Sequence, residues 1–150
     1  SEGVRVGLST SGPRQADVVR AAMRLDDCPF TVVQSTWNLR ESSVGDALAE
    51  AHDAGWTVVV KEALANGELA SAEPGGDLTS AASGIASDFF ALGAALSQPF
   101  ADIVLSGATT VAHLRRGVEA RAVEVDRAVL AGLAADPSDY WRRRSERPWR

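Results

Sequence analysis

The sequence predicts an α/β protein built on a parallel sheet, a (βα)4 arrangement, and three observations predict it. Four short runs rich in apolar residues recur along the chain, at Val4–Leu8, Phe30–Gln34, Thr57–Val60 and Asp102–Leu105. Each runs into small, polar or amide residues, and a helix-like segment follows each. Alternation at this spacing implies parallel strands joined by right-handed crossovers. Four such units make either a small open sheet or half of an eight-stranded barrel. In either arrangement the carboxyl ends of the strands share one face, where binding chemistry collects.

Val4–Leu8 is almost entirely apolar, as suits a strand covered on both faces. After it, Pro13 suits a first helical turn, and Val18, Val19, Ala22 and Leu25 make an apolar stripe. The second strand is Phe30–Gln34. In the next helix Ser43 is the expected cap with Asp46 three residues on, and Val44, Ala47, Leu48 and Ala51 share a face. Gly55 supplies the left-handed residue that stops it, and Thr57–Val60 is the third strand. Residues 65–84, rich in Ala, Gly and Ser, are too weakly periodic to assign, and so long a connection points to function. A helix is expected near Ile85–Ser97, then the strand Asp102–Leu105. Thr110 caps a helix over roughly Val111–Ala120, and another runs near Asp126–Ala134. The tail, Asp139–Arg150, mixes Trp141 and Trp149 with five arginines, and its tryptophans argue for packing across a protein surface.

At 150 residues the chain fits one domain with a sizeable core. A formal net charge of −5 argues against nucleic acid and anionic membranes as partners, despite the arginine-rich tail. No apolar run approaches the ~20 residues that span a bilayer. The single cysteine, Cys28, excludes an internal disulfide and fits a reducing compartment, which predicts a cytoplasmic location. Two widely spaced histidines and one cysteine make no metal-ligand cluster, and no nucleophile has an identifiable local base.

The strand ends carry hydroxyls, amides and glycine but hardly any general acid or base, which suits ligand holding. Ser9 is either a rim hydroxyl for a ligand or a capping serine. Gln34 closes an apolar strand with an amide that can read a ligand carboxamide or tie down a loop. Asn38 is a turn former. Lys61 and Glu62 are adjacent, so they face opposite ways; Lys61 either meets a ligand anion or is a solvated rim residue. Ser106-Gly107-Ala108-Thr109 runs into a helix N-terminus, a plausible phosphate site, although small residues cap helices everywhere.

Taken in order, VRVGLSTSG, FTVVQSTWNL, TVVVKEALANGEL and DIVLSGATT resemble the aldo/keto reductases, and DYWRRRSERPW resembles the end of one bacterial branch. The resemblance covers essentially the whole chain. It implies strands five to eight of a TIM (β/α)8 barrel, with residues 1–150 as its C-terminal half. It also implies binding of NADP(H) or NAD(H) and hydride transfer to a small carbonyl substrate. By this resemblance Ser9 and Gln34 contact the nicotinamide carboxamide, with Thr10 where the family has asparagine. Leu64 to Gly67 follow the pyrophosphate, and Ser106, Gly107, Ala108 and Thr109 the adenosine end. Lys61 stands where many members stack an aromatic ring on the nicotinamide, and Arg116 is the candidate for a 2′-phosphate.

The family's catalytic tyrosine and its lysine, aspartate and histidine come from the first four strands. The only tyrosine here is Tyr140, in the tail. The chain, which enters a strand at Val4 without an initiator methionine, is therefore expected to be a cofactor-binding fragment that is catalytically incomplete alone. The alternative is a non-catalytic half-barrel that binds a nucleotide or a protein. Two unblunted edge strands, Val4–Leu8 and Asp102–Leu105, predict self-association.

Overall fold

A computed structural model describes residues 3–70, 77–123 and 125–147. Strands β1 (Val6–Ser9), β2 (Phe30–Thr36), β3 (Thr57–Lys61) and β4 (Ile103–Val104) form one sheet in the order β1-β2-β3-β4, every pair parallel. Strand order follows chain order without reversal. Right-handed crossovers that never reverse put their helices on one face of a sheet and leave the other uncovered. Burial follows that rule. Val33, Val58 and Val60 point to the helices and are fully buried, whereas Val32 and Val59 on the other face are half-buried and Ile103 is exposed.

The helices are α1 (Gln15–Met23), α2 (Gly45–Asp53), α3 (Asp77–Ala81), α4 (Ser87–Leu96), α5 (Val111–Glu119), α6 (Arg127–Leu133) and α7 (Pro137–Ser145). Val19 of α1 and Ala47, Leu48 and Ala51 of α2 meet the sheet valines in one core, closed by Trp37 edge-on to Phe100 at 6.1 Å. A second core gathers Leu39, Leu69, Leu78, Phe90, Leu133 and Tyr140 from β2's exit loop, α3, α4, α6 and α7 and the loop before α3. It supports the loop that leaves β3.

Several boundaries differ from the sequence expectation, each for a local reason. β1 begins at Val6 rather than Val4, because Arg5 turns its guanidinium onto the Thr31 carbonyl and Thr57 Oγ1 beside an irregular register at Val6/Gly7. β2 runs on to Thr36, paired with Lys61. β4 contracts to Ile103–Val104 since the Asp102 carboxylate accepts the Val58 N–H at 2.7 Å, replacing a ladder carbonyl. Ser43 does not cap α2; it hydrogen-bonds the buried Glu41 carboxylate, which needs donors more than the helix does.

Other expectations hold. Gly55 at φ +85° ends the α2 turn, a conformation that strains any side chain. Thr110 caps α5 by accepting from the His113 N–H at 3.1 Å. Asp126 caps α6. The expected helix near Ile85–Ser97 is α4, starting two residues later because the Ile85 N–H closes a turn onto Ala82. In the unassigned stretch 65–84, a short 3₁₀ turn (Ala65–Gly67) and α3 are seen, and 71–76 lie outside the described residues. The tail is helical from Pro137, a structure the sequence reading did not assign. Trp141 packs edge-on against Tyr140 at 5.4 Å, and Trp149 lies outside the described residues. Among the described residues no helix is long and apolar enough to cross a membrane.

Candidate functional site

Ser9 and Lys61 end their strands and Gln34 lies two residues before the end of β2, and the parallel register aligns their side chains on the uncovered face. Ser9 Oγ donates to Gln34 Oε1 at 2.9 Å. Lys61 Nζ donates to Ser9 Oγ at 2.9 Å and to Ser11 Oγ at 3.0 Å. Burial, with a push from Arg144 and against the pull of Glu62, lowers the Lys61 ammonium below the ordinary lysine range. Among the described residues no carboxylate comes within ion-pair distance of it. The result is a row of amide, hydroxyl and ammonium groups that can both donate and accept, the chemistry that reads a carboxamide or an oxyanion. Thr10 is turned the other way. It is buried on the helix side, with its hydroxyl 2.5 Å from Ser35 Oγ.

A cavity of about 770 Å³ opens from Lys61 between the loop after β3 and the loop after β4. Lys61, Leu64, Gly67, Ser106, Gly107, Ala108, Thr109 and Arg116 all line it, so most of the sequence-derived candidates meet in one place. Its size suits a ligand of drug or cofactor dimensions. The wall between them comes from α4 through Asp88, Phe89 and Leu92, which strand-end reasoning did not single out. Helix α4 lies in a crossover, where no strand-end signal marks a binding residue.

The loop after β3 is strained. Glu62, Ala65 and Asn66 have φ of 57°, 48° and 54°, and none is glycine. A left-handed residue costs roughly 1–2 kcal/mol, so surrounding contacts must hold each one. Asn38 Nδ2 donates to the Glu62 carbonyl at 3.1 Å and to the Tyr140 hydroxyl at 3.1 Å. Arg144 of α7 grips the Glu62 carboxylate through two nitrogens, the Nε contact at 2.9 Å. Arg147 donates to the Ala65 carbonyl at 2.7 Å and pairs with Glu68. Asn38, expected as a turn former, does close a turn by accepting from the Arg40 and Glu41 N–H groups. Its amide also ties this network together.

Tyr140 is no acid for the cavity. It is buried in the second core, and burial above all pushes its hydroxyl up to about 12. His113 lines the cavity wall, and His52 lies 3.6 Å from Asp102 below the site. Among the described residues no three His, Cys, Asp or Glu side chains cluster closely enough to hold a metal ion.

Comparisons with known proteins bear on the fold. No protein-family model matches the sequence, and no curated protein matches it. Solved structures do match. The holo form of aldo-keto reductase AKR11C1 from Bacillus halodurans superposes with a TM-score of 0.60 at 15% identity, over 93% of this chain and 49% of that one. Its apo form gives 0.63 at 17% identity, over 88% and 51%. Glycerol dehydrogenase AKR11B4 from Gluconobacter oxydans gives 0.53 at 20% identity, over 97% and 51%. At these identities the likeness is one of fold: a parallel sheet flanked by helices, arranged as a partial (βα)4 barrel. The chain spans about half the length of each of these structures.

Proposed function

We propose that residues 1–150 form the C-terminal half of an aldo/keto reductase-like barrel whose role is to hold a nicotinamide dinucleotide, NAD(H) or NADP(H). The observation that carries this reading is the hydrogen-bonded row Gln34–Ser9–Lys61 at the strand ends, continuous with a cavity bounded by two phosphate-suited loops. Gln34 offers its amide N–H groups to a carboxamide oxygen, and Ser9 and Gln34 oxygens accept from the carboxamide nitrogen. Lys61 and the loop Ser106–Thr109 leading into the N-terminus of α5 favour the ligand's phosphate charge. The strained loop, held by Arg144 and Arg147, forms the wall along which the ligand lies.

When bound, the nicotinamide supplies a hydride to a small carbonyl substrate or takes one from an alcohol. This chain's residues bind and orient; the proton is another matter. The forming alkoxide needs an acid, and among the described residues the only tyrosine hydroxyl is buried away from the cavity. We therefore assign turnover to the barrel completed by four further βα units, and binding without turnover to this chain alone.

The test is a pair of calorimetric titrations. Gln34→Ala is expected to weaken NAD+ by about tenfold, the effect of one or two lost hydrogen bonds. ADP-ribose, which lacks the nicotinamide, should lose no more than about twofold. Equal losses for both ligands would remove the carboxamide role from Gln34, and absence of binding by either would remove the dinucleotide.

A further inference from the structure

Of the described charged side chains that line the cavity, only Asp88 and Arg116 pair with each other. Lys61 stands at the sheet end and is held by hydroxyls. Glu62 is gripped by Arg144. Where α4 and α5 meet at the cavity, Arg116 Nη2 donates to Asp88 Oδ1 at 2.6 Å. Both of these residues line the cavity wall beside Phe89. The guanidinium there is already matched by a carboxylate. Among the described residues Asp88 Oδ2 has no hydrogen-bond partner, so that end of the cavity offers one free carboxylate oxygen and a neutralised cation.

This inference rests on the dinucleotide reading: with the carboxamide at Ser9 and Gln34, the adenosine falls to the α4–α5 end. We propose that Asp88 makes this end select the unphosphorylated dinucleotide, NAD(H), over its 2′-phosphorylated form. A ribose diol is a donor, and Asp88 Oδ2 is an acceptor placed to take it. A 2′-phosphate brings about two negative charges to the same place, where it meets a carboxylate and an arginine already committed to that carboxylate. Discrimination then arises from an unfavourable contact with the wrong ligand as much as from a favourable one with the right ligand. The aromatic ring of Phe89 gives the base an apolar surface, which serves both ligands alike and leaves the choice to the charges.

The experiment is calorimetric titration of the 150-residue chain with NAD+ and with NADP+ at one ionic strength, repeated on Asp88→Asn and on Asp88→Asn combined with Arg116→Ala. The wild-type chain is expected to bind NAD+ about tenfold more tightly than NADP+, the scale of one charged hydrogen bond. Asp88→Asn frees Arg116 and should bring the two ligands within about twofold or reverse their order, chiefly by tightening NADP+. Adding Arg116→Ala should cancel that gain. If the wild-type chain binds NADP+ as tightly as NAD+ or more so, the selectivity inference fails and the dinucleotide reading stands. If Asp88→Asn leaves the ratio unchanged, Asp88 is not its source. If neither ligand binds, the dinucleotide reading itself fails, and the inference with it.

Discussion

Lys61 and Glu62 are neighbours in sequence yet belong to separate networks, because β3 ends at Lys61 and the backbone turns left-handed at Glu62. Lys61 joins the serines on the open face, and Glu62 turns to Arg144. That the two need not pair was legible, though the left-handed turn that separates them was not; Ser9 and Gln34 stood out as a hydroxyl and an amide closing apolar runs. Thr10, Asp88 and Phe89 were not legible in their observed roles, because the direction of a loop side chain or a crossover helix depends on tertiary packing. The Arg40–Asp77 pair, which ties β2's exit loop to α3, gives a residue-scale prediction. The hydrogen bonds from Arg40 above all, aided by the Leu78 N–H, hold the Asp77 carboxyl at about 2 against burial. A carboxyl lowered by folding stabilises the fold above its ordinary value near 3.8, and the contribution is lost as pH falls towards 2. Asp77 is 57% exposed, so solvent screening keeps the contribution below about 1 kcal/mol. Urea denaturation across pH 4 to about 2 should show a shallower loss of stability in Asp77→Asn than in the wild type; parallel curves would contradict the assignment.

At the scale of elements, α4 and α5 wall the cavity from outside the sheet, and α7 holds the loop that borders it. Helix α7 reaches back through Tyr140, Arg144 and the following Arg147 to hold the loop after β3 in its left-handed conformation. Its beginning was written in the sequence, since Asp136 accepts from the Asp139 N–H and Pro137 occupies the first helical turn. Helix α4 carries Asp88, Phe89 and Leu92, and its position depends on a close approach at Gly93. A Cβ there would lie 2.5 Å from Val123 Cβ and 2.9 Å from the Ala120 carbonyl oxygen. Alanine favours a helix interior over glycine by about 1 kcal/mol, but these atoms cannot swing aside. The clash therefore wins. Gly93→Ala is expected to destabilise the chain by about 1–2 kcal/mol net, measured by chemical denaturation, and an unchanged or raised midpoint would contradict the packing described.

For the whole molecule, the sheet was legible in number and direction of strands, while the strand order that separates an open sheet from a half-barrel was not legible from periodicity alone. Strand order without reversal and helices on one face favour the barrel segment. That geometry leaves both edges unpaired and apolar side chains uncovered: Ile103 and Leu105 at the β4 edge, and Val111, Leu114 and Val118 along α5. Such surface is larger in consequence than scattered exposed apolar residues. Sedimentation velocity should therefore show concentration-dependent association of this chain alone; a monomer across the accessible range would contradict the half-barrel account. The most direct test of the central claim is amide chemical-shift mapping on isotope-labelled chain as NAD+ is added. The account predicts shifts concentrated at the Gln34 side-chain amide, Lys61–Gly67 and Ser106–Thr109. Shifts confined to the opposite end of the sheet, around Trp56 and Asp102, or no shifts at all, would contradict it.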